Sequence, residues 1–235
     1  TPPVPGRPAL FPSLPSLPVL LSAVCAALFA LITWQVLDGG PLLTPDQELS
    51  RALVRAVPDA VTERLADLGN VEVAVPVLVA AMAYAVRRGH RLAALAAGLA
   101  MALVPALIVP LKEWTARPGP LEPWAAGYYP SGHTATALTA YTAAALLLTP
   151  HTRRRWPLPT AAALTALTAA GLLLRGFHWP LDVLASLLMC TPLLLGVRWA
   201  VSYGRPGRQR RGIRWGKRAR GSGSTRSRSG GARVR

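Results

Sequence analysis

Two histidines and one acid stand at spacings that chemistry can use. His178 and Asp182 lie four residues apart in His178-Trp179-Pro180-Leu181-Asp182, and His133 closes the stretch Tyr129-Pro130-Ser131-Gly132-His133. Four residues is about one helical turn, and Pro180 suits the first turn of a helix, so the Asp182 carboxylate can accept the imidazole N–H of His178. That contact fixes the tautomer and leaves the other ring nitrogen as a nucleophile or base. A polar pair that merely satisfies itself at a membrane interface would show the same spacing. In the second stretch Ser131 can cap a helix, Gly132 lets backbone approach a ligand closely, and the free N–H groups of a helix start attract an anion such as phosphate. His133 then sits beside the anion, placed to donate a proton; the plainer reading is a helix cap with an interfacial histidine.

Cations accompany these groups. Lys112 and Arg117 follow the end of an apolar run, and Arg175 precedes His178. Single cations at bilayer ends usually snorkel to the headgroups without further purpose. Their arrival beside two histidines and an acid is different, because phosphate recognition needs fixed cations together with helix-end N–H groups.

The elements that must position these residues are apolar. Of 235 residues 51% are hydrophobic, and several runs approach or reach the roughly 20 residues that cross a bilayer as a helix. We expect an all-α bundle of six transmembrane helices over residues 19–201, with spans at 19–37, 71–86, 92–111, 133–148, 159–174 and 181–201. A cleaved signal peptide at the first run is disfavoured, since no basic segment precedes it and no small-residue cleavage site clearly follows. Between spans 1 and 2 the acids Asp38, Asp46, Glu48, Asp59, Glu63 and Asp67 mix with arginines. Leu49, Leu53 and Val57 recur there at helical spacing, which predicts one amphipathic helix lying at the interface from the Thr44-Pro45-Asp46 cap signal. Residues 113–132 read as a loop with interfacial aromatics. Residues 1–18, Pro-rich and without an initiating Met as in a processed or truncated start, and the basic tail 202–235, rich in Gly, Ser and Arg, are expected to be disordered. Cys25 and Cys190 each lie inside an apolar run and read as packing residues.

Charge sets the expected topology. The basic clusters at 87–91 and 153–155 and the tail fall on one side of six alternating spans, and the positive-inside rule makes that side cytoplasmic, with both termini. All ten acids lie in, or at the edge of, segments on the other side. Lys112, Arg117, Ser131, His133, Arg175, His178 and Asp182 gather there, at the external face of what we read as a bacterial plasma-membrane protein. The net charge of +16 is concentrated in the tail, where aromatic interleaving is limited to Tyr203 and Trp215. Attraction to anionic lipid accounts for it, and no nucleic acid is expected.

The chain resembles the type 2 phosphatidic acid phosphatase (PAP2) superfamily, whose motifs are K-x6-R-P, P-S-G-H and S-R-x5-H-x3-D. The middle motif matches fully at Pro130 to His133, and His178 and Asp182 match in the third. Counted from Lys112, the family's arginine position holds Gly119, with Pro120 following and Arg117 two residues early. Counted back from His178, the Ser-Arg pair falls on Gly171 and Leu172, with Arg175 one turn later. The resemblance implies hydrolysis of a phosphate ester or anhydride without metal or cofactor. His178 would be the nucleophile assisted by Asp182, and His133 the acid. Lys112, Ser131 and the Gly132 backbone would hold phosphate, and we extend that role to Arg117 and Arg175. The substrate would be a lipid phosphate or diphosphate. A fold that keeps the lipid site but has lost catalysis is the alternative. A transporter is disfavoured because no ionisable residue falls near the middle of a span.

Overall fold

The computed structural model describes residues 16–152 and 156–203, and among these every regular element is helical. The expected disorder of most of the Pro-rich start and of the basic tail, and the arginine cluster 153–155, lie outside the described residues. Leu17, Pro18, Ser202 and Tyr203 are helical, so the helical region runs slightly past both ends of the sequence estimate.

Eight α-helices follow one another: α1 (Leu17–Asp38), α2 (Leu43–Leu53), α3 (Asp59–Asp67), α4 (Val71–Arg87), α5 (Arg91–Thr115), α6 (Gly132–Leu148), α7 (Pro157–Arg175) and α8 (Pro180–Tyr203). A 3₁₀ turn, Thr149–His151, extends α6. Among the described residues five stretches are long and apolar enough to cross a membrane: Leu17–Asp38, Asp59–Arg87, Arg91–Thr115, Pro157–Arg175 and Pro180–Tyr203. Large apolar side chains such as Leu95 and Leu99 face outward, as expected where lipid rather than water is the surrounding solvent. The protein is an integral membrane protein.

α6 is the central post, packed against α4, α5, α7 and α8. Its interfaces are built from small side chains: Ala137, Ala140, Ala143 and Ala144 on α6 meet Ala74, Ala81 and Ala85 on α4 and Ala93, Ala97 and Ala100 on α5. Lipid tails are as apolar as the helices, so packing rather than hydrophobicity favours association, and alanine lets the backbones come close. The helix ends follow the local sequence. The Ser131 side chain accepts the Thr134 N–H at the start of α6, and α7 stops at Gly176, whose φ of 76° is the left-handed cap that glycine favours.

Two expectations change. The segment between spans 1 and 2 holds two amphipathic helices, α2 and α3, rather than one. Pro58 disfavours continuation of a helix from the residues before it, and Val57 falls in the intervening turn. α5 does not close at Lys112 but runs to Thr115, so the first three residues of the stretch expected as a loop, 113–115, are helical.

Candidate active site

The N-terminal ends of α6 and α8 meet, and polar groups stitch them together. The Ser131 N–H donates to the Asp182 carbonyl at 3.2 Å. The Ser186 hydroxyl lies 2.8 Å from the Ser131 carbonyl and 2.9 Å from that of Asp182. Asp182 is fully buried. Its Oδ2 accepts the Trp179 N–H at 3.0 Å and sits 3.3 Å from His178 Nδ1, the contact expected from the four-residue spacing. His178 Nε2 remains for chemistry, with the Tyr128 ring edge-on beside the imidazole at 5.8 Å between centroids.

Arg117 comes in from the loop after α5, buried, and grips two carboxylates: Asp182 Oδ1 at 2.6 Å and Asp46 Oδ2 at 2.5 Å. Its guanidinium also lies 5.3 Å from the centre of the Trp179 ring, and the Trp179 indole N–H donates to the Pro118 carbonyl. Asp46 accepts the Leu181 N–H through its other oxygen at 2.7 Å. Burial pushes the Asp46 carboxyl above the usual range, while the guanidinium and the Leu181 N–H pull it down.

His133 lines a groove of about 810 Å³ between α4, α5 and α6. Lys112, Gly132, Asn70 and Glu72 line it too, and Val75, Leu78, Val79, Met82, Met101 and Pro105 give it an apolar wall. His133 lies within electrostatic range of both His178 and Lys112. Its Nε2 donates to Asn70 Oδ1 at 2.8 Å, and the Asn70 amide in turn donates to Asp67 at 3.0 Å. The turn bearing Asn70 is fixed against α6 because the Tyr141 hydroxyl donates to the Leu68 carbonyl.

The structure thus brings His178 and Arg117 each into contact with Asp182, with Ser131 against the same backbone and Lys112, Gly132 and His133 lining a groove between α4, α5 and α6. Ser131 is buried as a cap, its hydroxyl paired with Thr134. Arg175 lies elsewhere, pairing with Asp59 of α3 at 3.1 Å. Sequence reasoning missed Asp46, Asn70 and Tyr128. Asp46 stood out only as part of a helix-start signal, and nothing local marks Asn70 or Tyr128.

The PAP2 superfamily profile matches residues 93–206. Over those residues the chain is similar to the PAP2 superfamily. A solved structure described as the first transmembrane PAP2-type phosphatidylglycerolphosphate phosphatase from Bacillus subtilis shares the fold, with a TM-score of 0.68 at 22% identity, over 81% of this chain and 98% of that one. A search of the curated proteins finds none that matches. The profile match and the shared fold together make the chain a phosphoric ester hydrolase, a membrane lipid phosphatase.

The departure in the third PAP2 motif has a packing cause. A Cβ on Gly171, the position of the family's serine, would lie 2.5 Å from the Ala66 amide nitrogen and 2.7 Å from both Leu65 Cβ and the Thr62 carbonyl oxygen, because α3 docks directly on α7 there. Leu172, at the arginine position, is buried in the same packing. At Gly119 a Cβ would lie 2.5 Å from the Tyr128 ring, the end of a half-exposed side chain that can turn aside, so packing does not close this position as it does Gly171. Gly171→Ser should therefore destabilise the fold by about 1–3 kcal/mol, with the contact on the α3 backbone leaving little room to relax. A thermal midpoint in detergent equal to the wild type would show that α3 does not dock this tightly.

Proposed function

We propose that this PAP2 protein is a metal-independent phosphatase that hydrolyses a lipid phosphate or diphosphate at the external membrane face through a phosphohistidine. The observation that carries the reading is the buried His178–Asp182 contact, which leaves His178 Nε2 to act beside the α6 N-terminus and His133. The Nε2 lone pair attacks phosphorus, the bond from phosphorus to the leaving oxygen breaks, and that oxygen takes a proton from His133. With Nε2–H of His133 held by Asn70, Nδ1 is the nitrogen that delivers the proton. Water then attacks phosphorus with His133 as base, the N–P bond breaks, and inorganic phosphate leaves with His178 restored.

Lys112 and the first α6 amides, Gly132 and His133, are suited to the non-bridging oxygens, since they precede the first intrahelical bond, from Ala135 N–H to the Ser131 carbonyl. Asp46 and Asp182, the carboxylates around the His178 segment, are already engaged by Arg117 and backbone N–H groups, a poor donor set for Mg²⁺. The apolar groove running from His133 along α4 and α5 favours a substrate with a hydrocarbon tail.

Six spans fit this reading. α6 has 17 residues, and with its 3₁₀ extension it reaches about the 30 Å of a bilayer core. α2 and α3 would then lie at the external interface, with the site beneath them and both termini cytoplasmic, the basic tail against anionic lipid. Phosphatidic acid, a phosphatidylglycerol phosphate and a polyprenyl phosphate or diphosphate are the candidate substrates.

A phosphate-release screen of the purified protein across these lipids, with chelator present, is expected to give turnover on at least one. Turnover that disappears with chelator would refute the metal-free scheme. Turnover on none would favour the alternative, an inactive lipid-binding PAP2 fold, which draws on the engagement of Arg117 and Arg175 with carboxylates rather than with an open phosphate site.

A further inference from the structure

We infer that Asp46 is a positioning residue for the His178 nucleophile, acting through Arg117 and through the first turn of α8; the inference rests on the reading of His178 given above. Asp46 belongs to α2, well before the matched residues 93–206, so it is no part of the family's matched region. It nevertheless reaches the centre of the site, almost fully buried, and spends both carboxylate oxygens there: Oδ2 on Arg117 and Oδ1 on the Leu181 N–H.

The charge count explains why a second acid is needed. Asp182 faces His178 with one oxygen and Arg117 with the other. An arginine bound to Asp182 alone would neutralise it, and a neutralised partner gives little support to the positive charge that His178 acquires when its other nitrogen bonds phosphorus. Sharing Arg117 between Asp182 and Asp46 leaves the trio with a formal net charge of −1. Asp182 thus keeps the charge that orients the imidazole and stabilises its cationic form. The second contact acts on position: Asp46 takes the Leu181 N–H while Asp182 takes that of Trp179, so two carboxylates hold the α8 entry segment that carries His178.

The test uses the purified full-length protein and the lipid phosphate that the wild type hydrolyses, comparing Asp46→Asn, Asp46→Glu, the double variant Asp46→Asn/Arg117→Gln and His178→Ala. Asp46→Asn is expected to lower kcat roughly 10- to 100-fold with KM within about twofold, and Asp46→Glu to recover part of the loss. The double variant restores the formal charge of −1 and is expected to exceed Asp46→Asn at least about tenfold in kcat, a rescue that a merely structural role for Asp46 would not produce. A double variant slower than Asp46→Asn would overturn the inference, because Arg117 would then be acting on substrate. Should Asp46→Asn not accumulate as folded protein, the double variant decides alone: kcat within about tenfold of the wild type supports the inference and a greater loss overturns it. Wild-type kcat in Asp46→Asn beside an inactive His178→Ala would sink the role of Asp46 and leave the nucleophile standing. Turnover by His178→Ala would remove both.

Discussion

Replacing His178 by alanine is expected to give a folded protein that releases no phosphate above background and forms no acid-labile phosphoenzyme. The side chain makes one polar contact, to Asp182 at 3.3 Å, and lies edge-on to Tyr128, so its removal disturbs little of the packing. Chemistry is where the loss falls. With no ring nitrogen to accept the phosphoryl group, the two-step route closes, and losses of a nucleophile are of the order of 10³- to 10⁶-fold in turnover. Rapid quench of wild-type enzyme with ³²P-labelled lipid phosphate should trap label on the protein that is lost in acid and stable in base, as expected for phosphohistidine. Label or turnover persisting in His178→Ala would refute the assignment.

Arg117→Ala is expected to cost stability first. Its guanidinium is buried between Asp46 and Asp182, and deleting it leaves two buried carboxylates without the cation they share. Breaking a buried ion pair from one side costs about 3–5 kcal/mol, and here two pairs break at once. A variant purified in detergent should show a lowered thermal midpoint, and adding Asp46→Asn should restore part of it by removing one of the stranded charges. Equal midpoints for Arg117→Ala and the wild type would mean that the guanidinium does not hold this cluster together.

The apolar runs made the long helices legible, because a bilayer-spanning stretch announces itself by length and hydropathy alone. The His178–Asp182 contact was legible for a related reason: it is local, His178 standing just before α8 and Asp182 in its first turn. What sequence reading missed is long-range. Arg117 and Asp46 are 71 positions apart, and no period or spacing links them. His133 and Asn70 are separated by 63. The split of the amphipathic segment into α2 and α3 was marked locally by Pro58, but the docking of α3 on Gly171 was not. A glycine inside an apolar helix reads as a small packing residue whether its neighbour is lipid, a side chain or bare backbone.

That docking ties the third motif to a helix far from it in sequence. Gly171 accepts the α3 backbone, and Arg175 at the end of the same helix holds Asp59 at the start of α3. The missing serine and the displaced arginine are therefore two marks of a single arrangement rather than two separate lapses from a motif. The dependence is epistatic: a serine at position 171 fits only after α3 has moved away, and once α3 moves, Arg175 loses its partner. Counting motif letters would score this chain as degraded, whereas the packing makes its letters mutually consistent.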